Sequence, residues 1–317
     1  MKKYKKLTQE ERQAKINNHF SSVADKIAKH MQTAIDTGAS WVAPFEKAIN
    51  HVSYTYSNKA PVHATGMNFW TLLCAVVDNG YSCNEFLTYA EAKKLKTPVR
   101  KGETGHAVVR YPHFKIEEKD KKGNTIEKMI PNFKFPIIYY VFNGDQCDGY
   151  KQQITVKAPN KAQSIARADK FFANLNADIR HGDQGRAYYH TKHDYIHLPN
   201  KSLFHSTEGY YSTLAHEVGH WTGHKSRCDR NMEGGFFTND YAFEELVAEL
   251  TSAVVTSHLG VGTVLSSSCS QHGVYLASWI KELKNNPNAF QEATRLANKA
   301  YTYLLDCQST QELKMVA

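Results

Sequence analysis

Residues 216–220 read His216, Glu217, Val218, Gly219, His220. On a helix, positions i and i+4 lie on one face about one turn apart, so both imidazoles can reach a single cation. Glu217 follows the first histidine by about 100° around the helix, which sets its carboxylate beside the cation rather than on it. Zinc in such a site lowers the pKa of its water toward about 7, and the glutamate accepts the proton during attack on a carbonyl. The bland alternative is two histidines on an amphipathic helix without metal. With 16 histidines in 317 residues, only about 0.05 matches arise by chance, so the pattern points to a metal centre.

A catalytic ion needs a third protein ligand. His224 lies two turns beyond His216 and serves only if the helix persists past Gly223. Gly223 fits the metzincin pattern, but Ser226 stands where that pattern needs a histidine. Glu245, in the run Glu244-Glu245-Leu246-Val247-Ala248-Glu249, has the spacing of a gluzincin acid on a second helix. It is the favoured ligand. Glu249, four residues on, then supports a metal histidine from behind. His224, Glu244 and Glu249 remain alternatives as ligands. Residues 185–199 offer an edge strand that could hold an extended peptide, with Tyr188, Tyr189 and His197 as oxyanion donors or plain packing residues.

These residues require elements to position them. Ser206 caps a helix, TEGYYSTLAHEVGHWTGH, that carries both histidines. YAFEELVAELTSAVVTSHLG supplies the glutamates, and further helices are predicted at 273–285 and 289–305. A helix over 162–175 and strands at 185–190 and 194–199 precede them. In the first half, Thr8 and Glu11 form a capping-box signal. Apolar residues from Ile16 to Ile35 then recur at three- and four-residue steps, which predicts an amphipathic helix ending at Gly38. Residues 40–66 read as irregular, a second helix covers 68–78, and a short third starts at Thr88. The segments 106–116 and 134–143, rich in β-branched and aromatic residues, flank the turn-prone EEKDKKGNT and read as a long hairpin or meander. A linker is expected at 157–164. The fold class is α+β in two domains. The first, 1–155, is expected to be α+β; the second, 156–317, is expected to be a mostly helical, gluzincin-like metallopeptidase domain with a small sheet.

Hydrophobic residues make up 41% and charged residues 22%, a globular composition. The longest apolar run is about eight residues, against about 20 for a membrane helix, so no membrane span is expected. The basic start has no apolar stretch behind it, and none of the six cysteines forms a CxxC pair. Free thiols in a reducing, cytoplasmic setting follow. The net charge is +8, and residues 1–150 hold +7 of it, with 22 Lys and Arg against 15 Asp and Glu. That half is the candidate for a polyanionic partner; a solvated basic face is the plain alternative.

The N-terminal stretches LTYAEAKKLKTPVRKGETGHAVV and YYVFNGDQCDG resemble the ArdC-type antirestriction proteins of conjugative plasmids and related mobile elements. So do AYYHTKHDYIHLP, YYSTLAHEVGHWTGHKSRCDR, YAFEELVAEL and YLASWIKELK in the second half. The resemblance runs from about residue 20 to 305 and departs at HATGMNFW. It implies a single-stranded-DNA-binding domain joined to a zincin metallopeptidase-like domain, acting in a recipient cell to shield incoming DNA from restriction. It places the metal, Zn2+ with Mn2+ or another divalent ion as alternatives, on His216, His220 and Glu245, with Glu217 as base.

The residues themselves agree with the DNA-binding half. Lys93, Lys94, Lys96, Arg100, Lys101, Arg110, Lys115 and Lys134 interleave with Tyr89, Tyr111, Phe114, Phe133, Tyr139 and Tyr140. Basic residues with aromatic platforms suit single strands. Two other readings compete: a DNA-protective protein with a purely structural metal domain, and an intracellular protease with an acidic protein substrate. A structural site has no need of Glu217, and a plain protease has no need of the aromatic and basic interleaving.

Overall fold

The computed structural model describes residues 8–37, 52–55, 62–119, 125–132, 135–152, 161–232, 239–261, 279–280 and 287–316. Helix α1 (Gln9–Thr37) opens the chain, with the capping box formed: the Thr8 hydroxyl accepts from the Glu11 N–H at 3.1 Å, and Glu11 accepts from the Thr8 N–H at 2.7 Å. Its apolar stripe, Ile16 to Met31, is buried.

Strands β1 (Ser53–Thr55) and β2 (Val62–His63) follow, so the stretch read as irregular contributes to the sheet. Both are too short to show a period of two. Helix α2 (Gly66–Asn79) begins at Gly66 and stops at Gly80, whose φ of 65° is the left-handed conformation that suits glycine at a helix end. β3 (Glu85–Thr88), α3 (Tyr89–Lys94), β4 (His106–Arg110) and β7 (Ile137–Asn143) complete a five-stranded mixed sheet in the order β2-β1-β3-β7-β4.

Between β4 and β7 the chain departs from a single long hairpin. The ladder breaks at Pro112, which has no N–H to give. β5 (His113–Lys119) and β6 (Thr125–Pro131) then pair with each other as a separate two-stranded ribbon.

The second half carries α4 (Lys161–Ala173) and a three-stranded sheet of β8 (Asp178–Gly182), β10 (Tyr195–Pro199) and β9 (Tyr188–His190), in that order. Polar β8, DIRHG, has no apolar alternation to betray it. Helices α5 (Thr207–Trp221), α6 (Asn239–Leu259) and α7 (Pro287–Val316) complete the fold. The predicted linker start and the 155/156 boundary fall in 153–160, outside the described residues, as does most of the helix expected over 273–285.

The two α+β domains each have a hydrophobic core, and α6 and α7 enter both. Leu246, Val247 and Leu250 of α6 and Phe290 of α7 share the first core with Trp70 and Leu73 of α2. Val255 and Leu259 of α6 and Leu304 of α7 pack with Leu214 and Val218 of α5. The helix bearing the glutamates is therefore fixed at both ends by buried apolar surface. Among the described residues, no helix is long and apolar enough to cross a membrane, and Cys74, Cys83, Cys147, Cys228 and Cys307 are free.

Candidate metal centre

Ser206 starts α5 by accepting the Gly209 N–H at 3.0 Å. The helix then carries His216, half-buried, with Glu217 and His220, both buried. Its packing partner is α6, and the Ser252 hydroxyl donates across the crossing to the Ser212 carbonyl at 3.1 Å. Glu245 and Glu249 repeat at i and i+4 on α6, so both face α5.

The Nε2 atoms of His216 and His220 lie 3.2 Å apart. Glu245 presents one oxygen to each, at 3.4 Å from His216 Nε2 and 3.4 Å from His220 Nε2. A tetrahedral ion with bonds of about 2.0–2.1 Å has ligand-to-ligand edges of about 3.3 Å. The two imidazoles stand about that far apart and each meets a different oxygen of Glu245 at a similar distance. The three side chains thus converge on one point, with one donor atom from each lying within 4.8 Å of the others; no other group of three metal-ligand side chains is found among the described residues.

Each imidazole is held from behind. His216 Nδ1 faces Glu249 Oε2 at 3.1 Å, and His220 Nδ1 faces Glu244 Oε1 at 3.3 Å. A carboxylate on Nδ1 fixes the tautomer and leaves Nε2 as the lone pair aimed at the cation. Glu244, one of the alternatives for third ligand, is turned away: Arg230 grips it through Nε at 2.9 Å and Nη2 at 2.6 Å. His224 lies beyond the end of α5, its ring against the Ser226 hydroxyl at 2.8 Å, and does not join the cluster.

The charges respond to this crowding. Burial works to lower the pKa of both histidines. The hydrogen bonds and charge of the glutamates outweigh it, raising His216 well above its ordinary value and His220 to about 9. Burial likewise works against ionised Glu245, but the two histidines hold its carboxyl far below the usual range. Glu217 is raised by burial, offset in part by the histidines, and its carboxylate accepts the backbone N–H of Tyr189 on β9.

The three candidate oxyanion donors are placed otherwise. Ile196 and Leu198 of β10 point into the second core, so their neighbours Tyr195 and His197 point outward. Register puts Tyr188 beside His197 on that outer face, where the rings stack 5.1 Å apart. The hydroxyl of Tyr189 donates to Asp194 at 2.8 Å and accepts from Arg227. None of these side chains turns toward the histidines. The backbone of Tyr189 does approach Glu217, a relation that residue types alone do not disclose.

The residues expected to contact DNA do not form one surface. Tyr89, 62% exposed, and the exposed Lys93, Lys94, Lys96 and Lys101 lie on α3 and the turns after it. Arg110 closes the other end of β4, four residues and about 14 Å from His106, whose row also holds Thr88, and Tyr111 follows just beyond it. Tyr111 is half-buried against the first core, and its hydroxyl bonds Gln291. Arg100 is engaged within the chain, donating to Glu103 at 2.9 Å and to the Asp145 carbonyl at 2.5 Å. Tyr139 packs on the first core, whereas Tyr140 is exposed with the Lys15 ammonium 5.6 Å from its ring centre. Lys115 pairs with Glu127. Phe133 and Lys134 lie outside the described residues.

A helix with paired histidines, a following glutamate and a second helix with the third acid together define a zincin-like domain. Residues 166–296 match the zincin-like metallopeptidase family model, and residues 18–142 match the N-terminal domain of anti-restriction factor ArdC. The metal-free crystal structure of the antirestriction ArdC protein from plasmid R388 is 35% identical, with a TM-score of 0.68 over 92% of this chain and 98% of that one. The Mn(II)-bound structure of the same protein gives 33% and 0.67. The uncharacterized protein y4eC of Sinorhizobium fredii is 30% identical over 291 residues, which is 91% of this chain and 93% of that protein. Two Escherichia coli DNA primases TraC are 30% and 32% identical over 94% and 91% of this chain, which spans only 28% and 20% of their lengths. The chain belongs to the ArdC-type antirestriction family.

Proposed function

We propose that this chain is a single-stranded-DNA-binding antirestriction protein of a mobile element, with DNA taken by 1–155 and a metal-dependent peptidase-like centre in 156–317. The observation that carries the reading is the convergence of His216, His220 and Glu245, whose donor atoms lie within 4.8 Å of one another, with Glu217 buried beside them and outside that set of donors. Zn(II) suits two imidazoles and one carboxylate; the Mn(II) bound by the R388 relative makes that ion the alternative at the same donors. When bound, the ion supplies Lewis acidity and lowers the pKa of water.

The chain's own residues do the rest. Glu249 and Glu244 orient the two histidines. Glu217, raised in pKa by burial, takes the proton of the attacking water and returns it to the departing amine of a protein substrate. Exposed Tyr89 with Lys93, Lys94, Lys96 and Lys101 supplies stacking and charge for a single strand, and protection takes place in the cytoplasm of the recipient cell.

An electrophoretic shift of the full chain on single- and double-stranded DNA, with and without chelator, tests the partner. Single strands should be retarded in preference, with or without metal, and the shift should fade as salt rises. Preference for duplex, or indifference to salt, would overturn the DNA half of the reading.

A further inference from the structure

Three buried glutamates, Glu244, Glu245 and Glu249, face α5 from α6, yet only Glu245 joins His216 and His220 in the ligand group. Something must keep the others off the ion. For Glu244 that group is Arg230, whose side chain is only 3% exposed. Its guanidinium takes both oxygens of Glu244. Its other N–H groups donate to the Thr222 hydroxyl at 2.8 Å and the Gly219 carbonyl at 2.7 Å. Gly219 immediately precedes His220, and His220 Nδ1 returns to Glu244 at 3.3 Å. The hydrogen bonds close a ring: His220, Glu244, Arg230, Gly219.

We infer that Arg230 is a positioning residue of the metal centre: by holding both oxygens of Glu244, it reserves that carboxylate for the His220 N–H, keeps it off the cation and so favours Zn(II) over Mn(II). This rests on the reading of His216, His220 and Glu245 as the ligands. Arginine suits the task because its fork matches a carboxylate at two points and it stays charged when buried. A lysine in its place grips one point only. Without the guanidinium, Glu244 is a buried anion beside the site, free to turn in as an added oxygen ligand. Extra carboxylate oxygens suit Mn(II) better than a small tetrahedral Zn(II) set.

Zn(II) and Mn(II) affinities of the full chain, measured by competition with a chelator, test this, alongside thermal unfolding in excess chelator. Arg230→Met should weaken Zn(II) about 10- to 100-fold, the range for lost support behind a ligand, and weaken Mn(II) less. The double variant Arg230→Met with Glu244→Gln should recover most of the Zn(II) affinity. A neutral amide needs no cation, and its oxygen still accepts the His220 N–H. Should Arg230→Met fail to fold, Arg230→Lys carries the test, with Zn(II) weakened about tenfold. Wild-type Zn(II) affinity in a folded Arg230 variant overturns the inference. So does a double variant no better than Arg230→Met, which would mark the arginine as structural support alone. A wild-type chain that takes up neither ion removes the ligand reading, and this inference with it.

Discussion

Gly219 and Ala248 meet at the crossing of α5 and α6: a Cβ on residue 219 would stand 2.9 Å from the Ala248 Cα. This close approach sets the geometry of the whole centre. His216 and His220 lie three residues before and one after Gly219. Glu245 and Glu249 lie three before and one after Ala248. One crossing therefore brings both pairs into register.

Gly219→Ala should force the helices apart. Overpacking costs about 1–3 kcal/mol, while alanine's better helix propensity returns about 1 kcal/mol. The net expectation is a modestly lower melting temperature in the metal-free chain, with weaker metal binding because the donors separate. Calorimetry and a metal titration check this. Unchanged stability and affinity would show that the crossing has slack.

Metal binding and hydrolysis should separate at Glu217. Glu217→Ala should keep its metal content and its affinity for single-stranded DNA, but lose peptide hydrolysis by about 10²- to 10⁴-fold, the usual worth of general-base help. Protection of incoming DNA should survive if it acts through DNA binding. Loss of protection with folding, metal and DNA binding intact would shift the account to proteolysis of a host factor.

The metal-free chain should lose stability between pH 6.5 and about 9. His220 has its folded pKa raised from 6.5 to about 9, because the charge of Glu245 and the bond to Glu244 outweigh burial. The sign follows: a raised pKa contributes stability fully present below 6.5, lost as pH climbs through about 9. Ion binding needs neutral imidazoles and should strengthen over the same window. Melting curves with and without metal should therefore diverge as pH rises. A metal-free curve that is flat or rising across the window would contradict the charge arrangement.

Exchanging Lys93, Lys94, Lys96 and Lys101 for glutamine should weaken binding to single strands of any sequence. The dependence of log affinity on log salt should flatten by about 0.7 for each phosphate that is no longer neutralised. Filter binding across a salt series measures it. Arg100→Gln should instead lower stability, since that guanidinium ties Glu103 to the Asp145 carbonyl. An unaltered salt slope in the lysine variant would place the DNA elsewhere.

Much of the centre is legible in the sequence because its signal is local. His216, Glu217 and His220 sit within one turn and a half, and Glu245 and Glu249 repeat the same i, i+4 step on a long apolar helix. Arg230 is not legible: it lies past the end of α5 and meets Glu244 only because the helices cross at Gly219. The strands β3 and β8 escape a reading of residue types for different reasons, the one being four residues long and the other polar. Interleaved lysines and tyrosines do not show which rings face solvent. Tyr111 and Tyr139 turn toward the first core, while Tyr89 and Tyr140 turn outward.

Elemental analysis of the full chain and its variants tests the ligand set most directly. The wild type should hold one divalent ion per chain. Glu245→Ala should lose it, because a directly bound oxygen is removed. Glu249→Ala should retain more, because only the orientation of His216 is loosened, and His224→Ala should match the wild type. An ion lost in His224→Ala but kept in Glu245→Ala would contradict the proposed centre.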